Sequence, residues 1–266
     1  MPTVHLKDID INYQLEGEGP ETIVLVNGLA DALESWDFQV PALLQAGFRV
    51  LRFDNRGIGG TDAPTMPYTS RMLADDAKAL VNELDITSFH LIGVSMGGMV
   101  AQEYALNYPQ DLKSVTLACT YAAPGPFCSR MFSMWEEMAQ QVSVPFVMRD
   151  VTLWAFTVPF FSEQPEMAAE FEAEMAGLDM SVEAYLSQLN VIQKHDTTDR
   201  IAQLTVPTMV LAGQEDILIP TRLSHELHDL VPGSDWTTVP GGHACLWESP
   251  DPFNDAIITF TRAHSN

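Results

Sequence analysis

Short apolar runs alternate with amphipathic segments along most of this chain. Apolar runs of strand length and composition predict β-strands, and they occur in HLKDIDINYQL (an opening hairpin), TIVLVNG, FRVLRFD, SFHLIGV, SVTLACT, PTMVLAG and DWTTVPG. Apolar residues at helical spacing lie between them, in SWDFQVPALLQAG, SRMLADDAKALVNELD, SMGGMVAQEYALNYP, TRLSHELHDLVPG and SPDPFNDAIITFTRAH. Strands that alternate with helices indicate βαβ units. We therefore predict the α/β class, with a mostly parallel, doubly wound sheet covered on both faces.

One segment interrupts this alternation. Residues 124–200 are rich in methionine and aromatic residues, follow a helical pattern and contain no strand-like run. We predict that this segment is a helical insertion, and that residues 1–123 and 201–266 together form the α/β core.

Composition narrows the partners that the chain could have. It has 266 residues and a formal net charge of −23, which repels the phosphates of nucleic acids and of anionic membrane surfaces. No stretch is apolar for long enough to span a bilayer, and the start has no signal-peptide pattern, so we expect a cytoplasmic protein. Cys119, Cys128 and Cys245 show no metal-binding spacing, and buried free thiols are the simplest interpretation.

The most informative stretch is GVSMGG, residues 93–98, between a predicted strand and a predicted helix. An abrupt strand-to-helix turn strains the residue at its apex, and side chains two positions away on either side would collide with the backbone. Gly93 and Gly97 remove those side chains. Ser95 is then held at the carboxyl end of its strand, where open α/β sheets bind ligands. The pattern is that of a G-x-S-x-G nucleophile elbow.

On this motif and its context, the chain resembles the α/β-hydrolase fold family over nearly its whole length. SWDFQVPALLQAGFRVLRFDNRGIGGTD and RIAQLTVPTMVLAGQEDILIP are similar to the enol-lactonase-like and esterase-like branch, whose members are serine hydrolases with a helical cap. The resemblance implies that the insertion is such a cap. It also implies a Ser-His-Asp triad in the chain order Ser, acid, His, because a serine hydroxyl needs a base, and the base needs a carboxylate to orient it.

The acid and the base have rivals in the sequence. The family spacing from Gly213 selects Asp216 as the acid over the adjacent Glu215. Of the seven histidines, His243 follows two glycines beyond the last strand and is the preferred base. His195, near the point where the insertion rejoins the core, is the strongest rival.

Acyl transfer also requires donors for the oxyanion. The resemblance assigns this role to two backbone N–H groups, that of Met96 after the nucleophile and that of Leu29 in the loop NGLA. Many relatives have His-Gly where this chain has Asn27 and Gly28, but backbone donors do not depend on that side chain.

The insertion indicates the kind of substrate. Its methionines and aromatic residues suit a bulky apolar group, and its four basic residues stand against twelve acidic ones, which disfavours a dicarboxylate such as an oxoadipate enol-lactone. We predict hydrolysis of a neutral, largely apolar ester or lactone, a small-molecule substrate, with no metal or organic cofactor. A carbon–carbon bond hydrolase and a 3-oxoadipate enol-lactonase stay open, as do a cofactor-free oxygenase, a slow ligand receptor and a homo-oligomer.

Overall fold

Eight strands form a single sheet in this computed structural model, which describes residues 2–6 and 8–265. The strands are β1 (Thr3–His5), β2 (Asp10–Glu16), β3 (Thr22–Val26), β4 (Arg49–Phe53), β5 (Phe89–Val94), β6 (Leu112–Ala118), β7 (Thr208–Gly213) and β8 (Asp235–Val239). Their spatial order is β1-β2-β4-β3-β5-β6-β7-β8. β1 and β2 pair antiparallel, β2 pairs antiparallel with β4, and the strands from β4 to β8 are parallel.

Helices cover this sheet. They are α1 (Val40–Gln45), α2 (Ser70–Glu83), α3 (Met96–Asn107), α4 (Pro126–Gln141), α5 (Val144–Ala155), α6 (Val158–Glu163), α7 (Pro165–Ala176), α8 (Val182–Lys194), α9 (Thr221–Leu230), α10 (Cys245–Glu248) and α11 (Pro250–Ala263). A mostly parallel sheet between helices confirms the predicted fold class. None of the helices among the described residues combines the length and the apolar character needed to cross a membrane.

Both faces of the sheet are buried, and the central strand β3 shows how. All five of its residues are buried. Val24 and Val26 belong to one apolar core, while Ile23 and Leu25 belong to the core on the opposite face. Successive side chains of a strand point to opposite faces, so a continuous apolar run is what a strand between two helical layers requires.

All seven predicted strand segments are present, but one predicted helix is not continuous. SWDFQVPALLQAG contains the end of a 3₁₀ turn, Leu33–Trp36, and then the short α1. Pro41 lies in the first turn of α1, where its missing N–H costs nothing, so the helix begins there. The four-residue α10, directly after His243, had no recognisable sequence pattern of its own.

The helices α4 to α8 occupy the segment that was predicted as an insertion. They lie between β6 and β7, and α4 packs against α5 and α8 while α5 packs against α7. The division at residues 124 and 200 stays a proposal, and its outer bounds, residues 1 and 266, lie outside the described residues, as does Lys7 of the opening hairpin.

Candidate active site

Ser95 stands at a strained turn between β5 and α3. Its backbone is left-handed, with φ of 56°, a conformation that costs a non-glycine residue free energy and is found mostly at functional sites. A Cβ on Gly93 would collide with the carbonyl oxygen of Gly97, and one on Gly97 would collide with that of Val26 in β3. The two glycines are therefore needed for this turn, which presents the Ser95 side chain at the carboxyl end of the sheet.

Asp216 and His243 come together from neighbouring strands. Asp216 follows β7, and His243 follows β8. The His243 Nδ1 lies 2.8 Å from the Asp216 Oδ2, and the other carboxylate oxygen, Oδ1, accepts a hydrogen bond of 2.9 Å from the Ile219 N–H. A Cβ on Gly213 would overlap the carbonyl oxygen of Gly242. Close contact between these two backbones brings the two loops within hydrogen-bonding distance.

The rival residues lie elsewhere. Glu215 is exposed, whereas the Asp216 side chain is fully buried against the imidazole. His195 is buried at the end of α8, where Nδ1 lies 2.9 Å from the Ser70 Oγ and Nε2 lies 3.2 Å from the Gln102 Oε1. Burial lowers the pKa of His195 to about 4. This histidine links the end of α8 to the core helices α2 and α3.

His243 has a shifted pKa because of its partner. Burial alone lowers the pKa of a histidine, but the charge and hydrogen bond of Asp216 outweigh burial and raise the pKa of His243 to about 9. Near neutral pH the imidazolium form is therefore favoured, and only the neutral fraction can accept a proton from a hydroxyl. The Asp216 contact is on Nδ1, which leaves Nε2 for that transfer.

The two predicted oxyanion donors come from the residue after Ser95 and from the loop after β3. The Met96 N–H belongs to the first turn of α3, where the helix supplies no acceptor. Leu29 lies in the loop after β3 and lines the same cavity as Ser95. In the part of the chain that the structure describes, neither N–H donates to a protein acceptor. Both are thus free to donate to a ligand.

Two amide side chains hold the Leu29 loop, and one of them, Gln188, was missed from the sequence. The Gln188 side chain, from α8, accepts from the Ala30 N–H at 2.9 Å and donates to the Arg56 carbonyl at 2.9 Å. Asn27 is fully buried; it donates to the carbonyl of Asp31 and accepts from the Trp36 indole. Asn27 was predicted to be dispensable for the backbone donors, yet its amide braces the loop that carries Leu29. An amphipathic helix pattern gives no signal for a contact such as that of Gln188, because its partner is 158 positions away.

The cavity above Ser95 and His243 is apolar. The helices α4, α5, α7 and α8 line it on one side, and the strand ends line it on the other. Their contributions include Phe132, Trp135, Met148, Phe156, Phe171, Met175 and Ile192. The described residues that line it include no lysine or arginine. Its titratable side chains are His243 and Asp31, a carboxyl group that the sequence analysis did not single out.

One thiol lies beside the triad residues. Cys119 follows β6 and has a buried, free side chain. One ligand atom from each of Cys119, Asp216 and His243 lies within 4.8 Å of the others, a donor set that could hold a thiophilic divalent cation. The hydrogen bond between Asp216 and His243 uses two of these atoms. The three cysteines are free and buried, as expected.

Comparison with known proteins assigns the family. The sequence model of the α/β hydrolase fold matches residues 21–250. The chain belongs to the α/β-hydrolase fold family. It is 26% identical over 265 residues, 98% of each chain, to a protein of Azorhizobium caulinodans that is provisionally named carbamate hydrolase RutD.

Solved structures of the α/β-hydrolase fold agree with this assignment. The enol-lactonase from Burkholderia xenovorans LB400 superposes with a TM-score of 0.90 at 27% identity, covering 97% of this chain and 99% of that one. A thermophilic esterase from Thermogutta terrifontis superposes with a TM-score of 0.90 at 25% identity, covering 100% of both chains. The predicted family, with enol-lactonase-like relatives, is confirmed, and the chain is a hydrolase by family.

Proposed function

We propose that this α/β hydrolase cleaves a neutral, largely apolar ester or lactone through an acyl-Ser95 intermediate. The observation that carries the proposal is the cavity: Ser95 and His243 open into an apolar chamber whose described lining has no lysine or arginine. A substrate carboxylate in that chamber would lose its hydration and find no lysine or arginine partner in return.

The proposed reaction uses Ser95 and His243, which line one cavity, and Asp216, the hydrogen-bond partner of His243. The Ser95 Oγ attacks the carbonyl carbon while the neutral His243 takes its proton, and the resulting imidazolium is stabilised by Asp216. The Leu29 and Met96 N–H groups stabilise the oxyanion. The leaving alkoxide takes the proton from His243. Water, deprotonated by His243, then attacks the acyl carbon, and the acid leaves as Ser95 recovers its proton.

The basic residues of the helical insertion do not alter this proposal. None of Arg130, Arg149, Lys194 and Arg200 lines the cavity. The Arg200 guanidinium pairs with the Glu103 carboxylate on the core helix α3. A dicarboxylic enol-lactone would therefore find no lysine or arginine above Ser95, although an enol-lactonase is among the similar structures.

The test is turnover of a panel of esters and lactones, each neutral compound paired with a carboxylate-bearing analogue. We expect wild-type protein to prefer the neutral members, and Ser95→Ala to lower kcat by about 10⁴-fold or more. Ser129→Ala, an exposed serine on α4, is the matched control and should leave kcat unchanged. Mass spectrometry should find the acyl group on Ser95.

Preference for the carboxylate-bearing members would contradict the substrate assignment and favour an enol-lactonase. Ester cleavage that persists in Ser95→Ala would contradict the acyl-serine mechanism. A cofactor-free oxygenase that depends on His243 as base would retain activity in Ser95→Ala and would consume dioxygen.

A further inference from the structure

Asp31 is a carboxylic acid placed beside the proposed nucleophile. It lies in the same loop as Leu29 and is partly buried. A Cβ on Gly28 would overlap the Asp31 carboxylate and would lie 3.7 Å from the Ser95 Cβ. The Asp31 carboxylate therefore packs directly against Gly28. The carboxyl group is thus fixed to the loop of the proposed oxyanion donor, close to Ser95.

Asp31 also marks a boundary between two chambers. The inner chamber, of about 70 Å³, is the apolar cavity above Ser95 and His243. The outer chamber, of about 320 Å³, is bordered by Glu34, Asp37 and Glu174. Four residues line both chambers and form the neck between them: Asp31, Phe171, Met175 and Trp247. Asp31 is the titratable member of this neck, so a substrate that extends from the inner chamber into the outer one passes its carboxyl group.

Burial and the charges around Asp31 determine the pH range in which its carboxyl group ionises. Burial raises the pKa of Asp31 to about 7; the positive charge of His243 and the Gly28 N–H oppose this rise, and the Glu174 carboxylate adds to it. Glu34 and Asp37 face the outer chamber, and Asp37 pairs with the Arg52 guanidinium. No lysine or arginine lines either chamber among the described residues. Asp31 therefore changes charge in the range where hydrolases are usually assayed.

We propose that Asp31 is a specificity-determining residue: its carboxyl group at the neck rejects substrates with an anionic group beside the scissile bond and favours those with a hydroxyl or ammonium group there. The inference rests on the proposed function, because it concerns substrates of the same Ser95 site. The proposed function concerns a substrate with a neutral, apolar acyl group. The inference adds that the other end of that substrate donates a hydrogen bond to the Asp31 carboxylate.

A matched trio of esters tests this role. The three compounds share one acyl group and carry an ammonium, a methyl or a carboxylate at the same position near the scissile bond. In wild-type protein, we expect the kcat/KM ratio of the carboxylate to the methyl compound to fall about tenfold as pH rises from about 6 to about 8. The ammonium-to-methyl ratio should rise over the same range. Titration of His243 affects all three compounds alike and cancels in these ratios.

The variant Asp31→Asn keeps the size and shape of the side chain and removes the ionisable group. We expect both ratios to become independent of pH, with the carboxylate compound gaining about tenfold relative to wild type at about pH 8. Asp31→Ser, which also lacks an ionisable group, should behave alike, and thermal unfolding checks that each variant folds. Glu34→Gln is the matched control, because it removes a carboxylate of the outer chamber that does not line the inner one; its ratios should follow the wild type.

Three results would overturn the inference. Ratios in Asp31→Asn that still change with pH as in wild type would show that another group discriminates. Equal effects of Glu34→Gln and Asp31→Asn would show that the general negative charge of the outer chamber is responsible. If the ammonium-to-methyl ratio of kcat/KM did not rise as Asp31 ionises, the predicted preference for an ammonium group would be wrong.

Failure of the proposed function gives a different result. Rates of Ser95 phosphonylation by fluorophosphonates with the same three substituents provide a second set of ratios that does not require ester turnover. If esters are cleaved through Ser95 and neither set of ratios responds to Asp31→Asn, only the Asp31 inference fails. If wild-type protein neither cleaves esters nor reacts with any fluorophosphonate, the proposed function fails and this inference fails with it.

Discussion

The carboxyl ends of the strands and the helices α4 to α8 meet at the same cavity, but they contribute to it in opposite ways. The strand ends supply polar groups, such as Ser95 and the Asp216–His243 pair at 2.8 Å, on turns and loops that are held by close backbone contacts. The helices supply interchangeable apolar surface, such as Phe132 and Met148. Backbone contacts tolerate almost no added volume, whereas apolar side chains can repack. We therefore expect substitutions at the strand ends to act on chemistry and folding, and substitutions in the helices to act mainly on substrate preference.

The largest effect is expected at the acid beside His243. Asp216→Asn keeps the shape of the side chain but cannot orient and stabilise the imidazolium, so kcat on a neutral ester should fall by about 10⁴-fold. The matched control is Glu215→Gln, one position earlier and exposed, for which we expect less than about a threefold change. Steady-state kinetics on one good ester measure both. Equal losses in the two variants would contradict the assignment of Asp216.

A smaller effect is expected on stability. Adding a methyl group should destabilise the protein at a glycine beside the strand ends and should not do so at a glycine that ends a helix. Gly97→Ala places a Cβ against the Val26 carbonyl of β3 and should lower the free energy of unfolding by about 3 kcal/mol. Gly177→Ala, at the end of α7, has φ of −92° and its nearest atom at 3.4 Å; we expect a change within about 0.5 kcal/mol. Urea denaturation of both variants makes the comparison. A Gly97→Ala protein as stable as wild type would mean that β3 and α3 can separate without cost.

The smallest effect is expected at a helix residue that acts on the strand-end chemistry, contrary to the general division between strand ends and helices. Gln188 is on α8, yet it holds the loop of the proposed oxyanion donor through the Ala30 N–H. Gln188→Leu removes both of its hydrogen bonds and leaves two buried backbone groups unpaired. We expect kcat to fall about tenfold with KM little changed, because the loss of an oxyanion donor outright costs about 10²- to 10³-fold.

Gln193→Leu is the control for that prediction. Gln193 lies on the same helix and donates to the Glu136 carboxylate of α4 at 3.1 Å, a contact within the helical layer alone. Its kcat should stay within about twofold of wild type, since no backbone donor near Ser95 depends on it. If Gln188→Leu raised KM and left kcat intact, Gln188 would act on substrate binding and not on the oxyanion loop.

Several elements of the molecule were predictable because their causes are local. The strands are continuous apolar runs, since each is buried on two faces, and the glycines around Ser95 are required by the turn itself. The spacing Gly213 to Asp216 and the position of His243 after the last strand pointed to the pair that the structure brings together. The broken helix at 33–45 and the short α10 were not predictable, since weak and short helices depend on what packs against them.

Thus the alternation of apolar and polar positions, together with GVSMGG, determined the α/β sheet and the residue at its strained turn, because period and backbone geometry act between near neighbours. The tertiary structure alone decided that Gln188 braces a loop 158 positions away, which apolar residues of the insertion line the chamber over Ser95, and that Asp31 lies at its neck. Each of these depends on contacts between segments that are far apart in the chain, and no local pattern encodes such contacts.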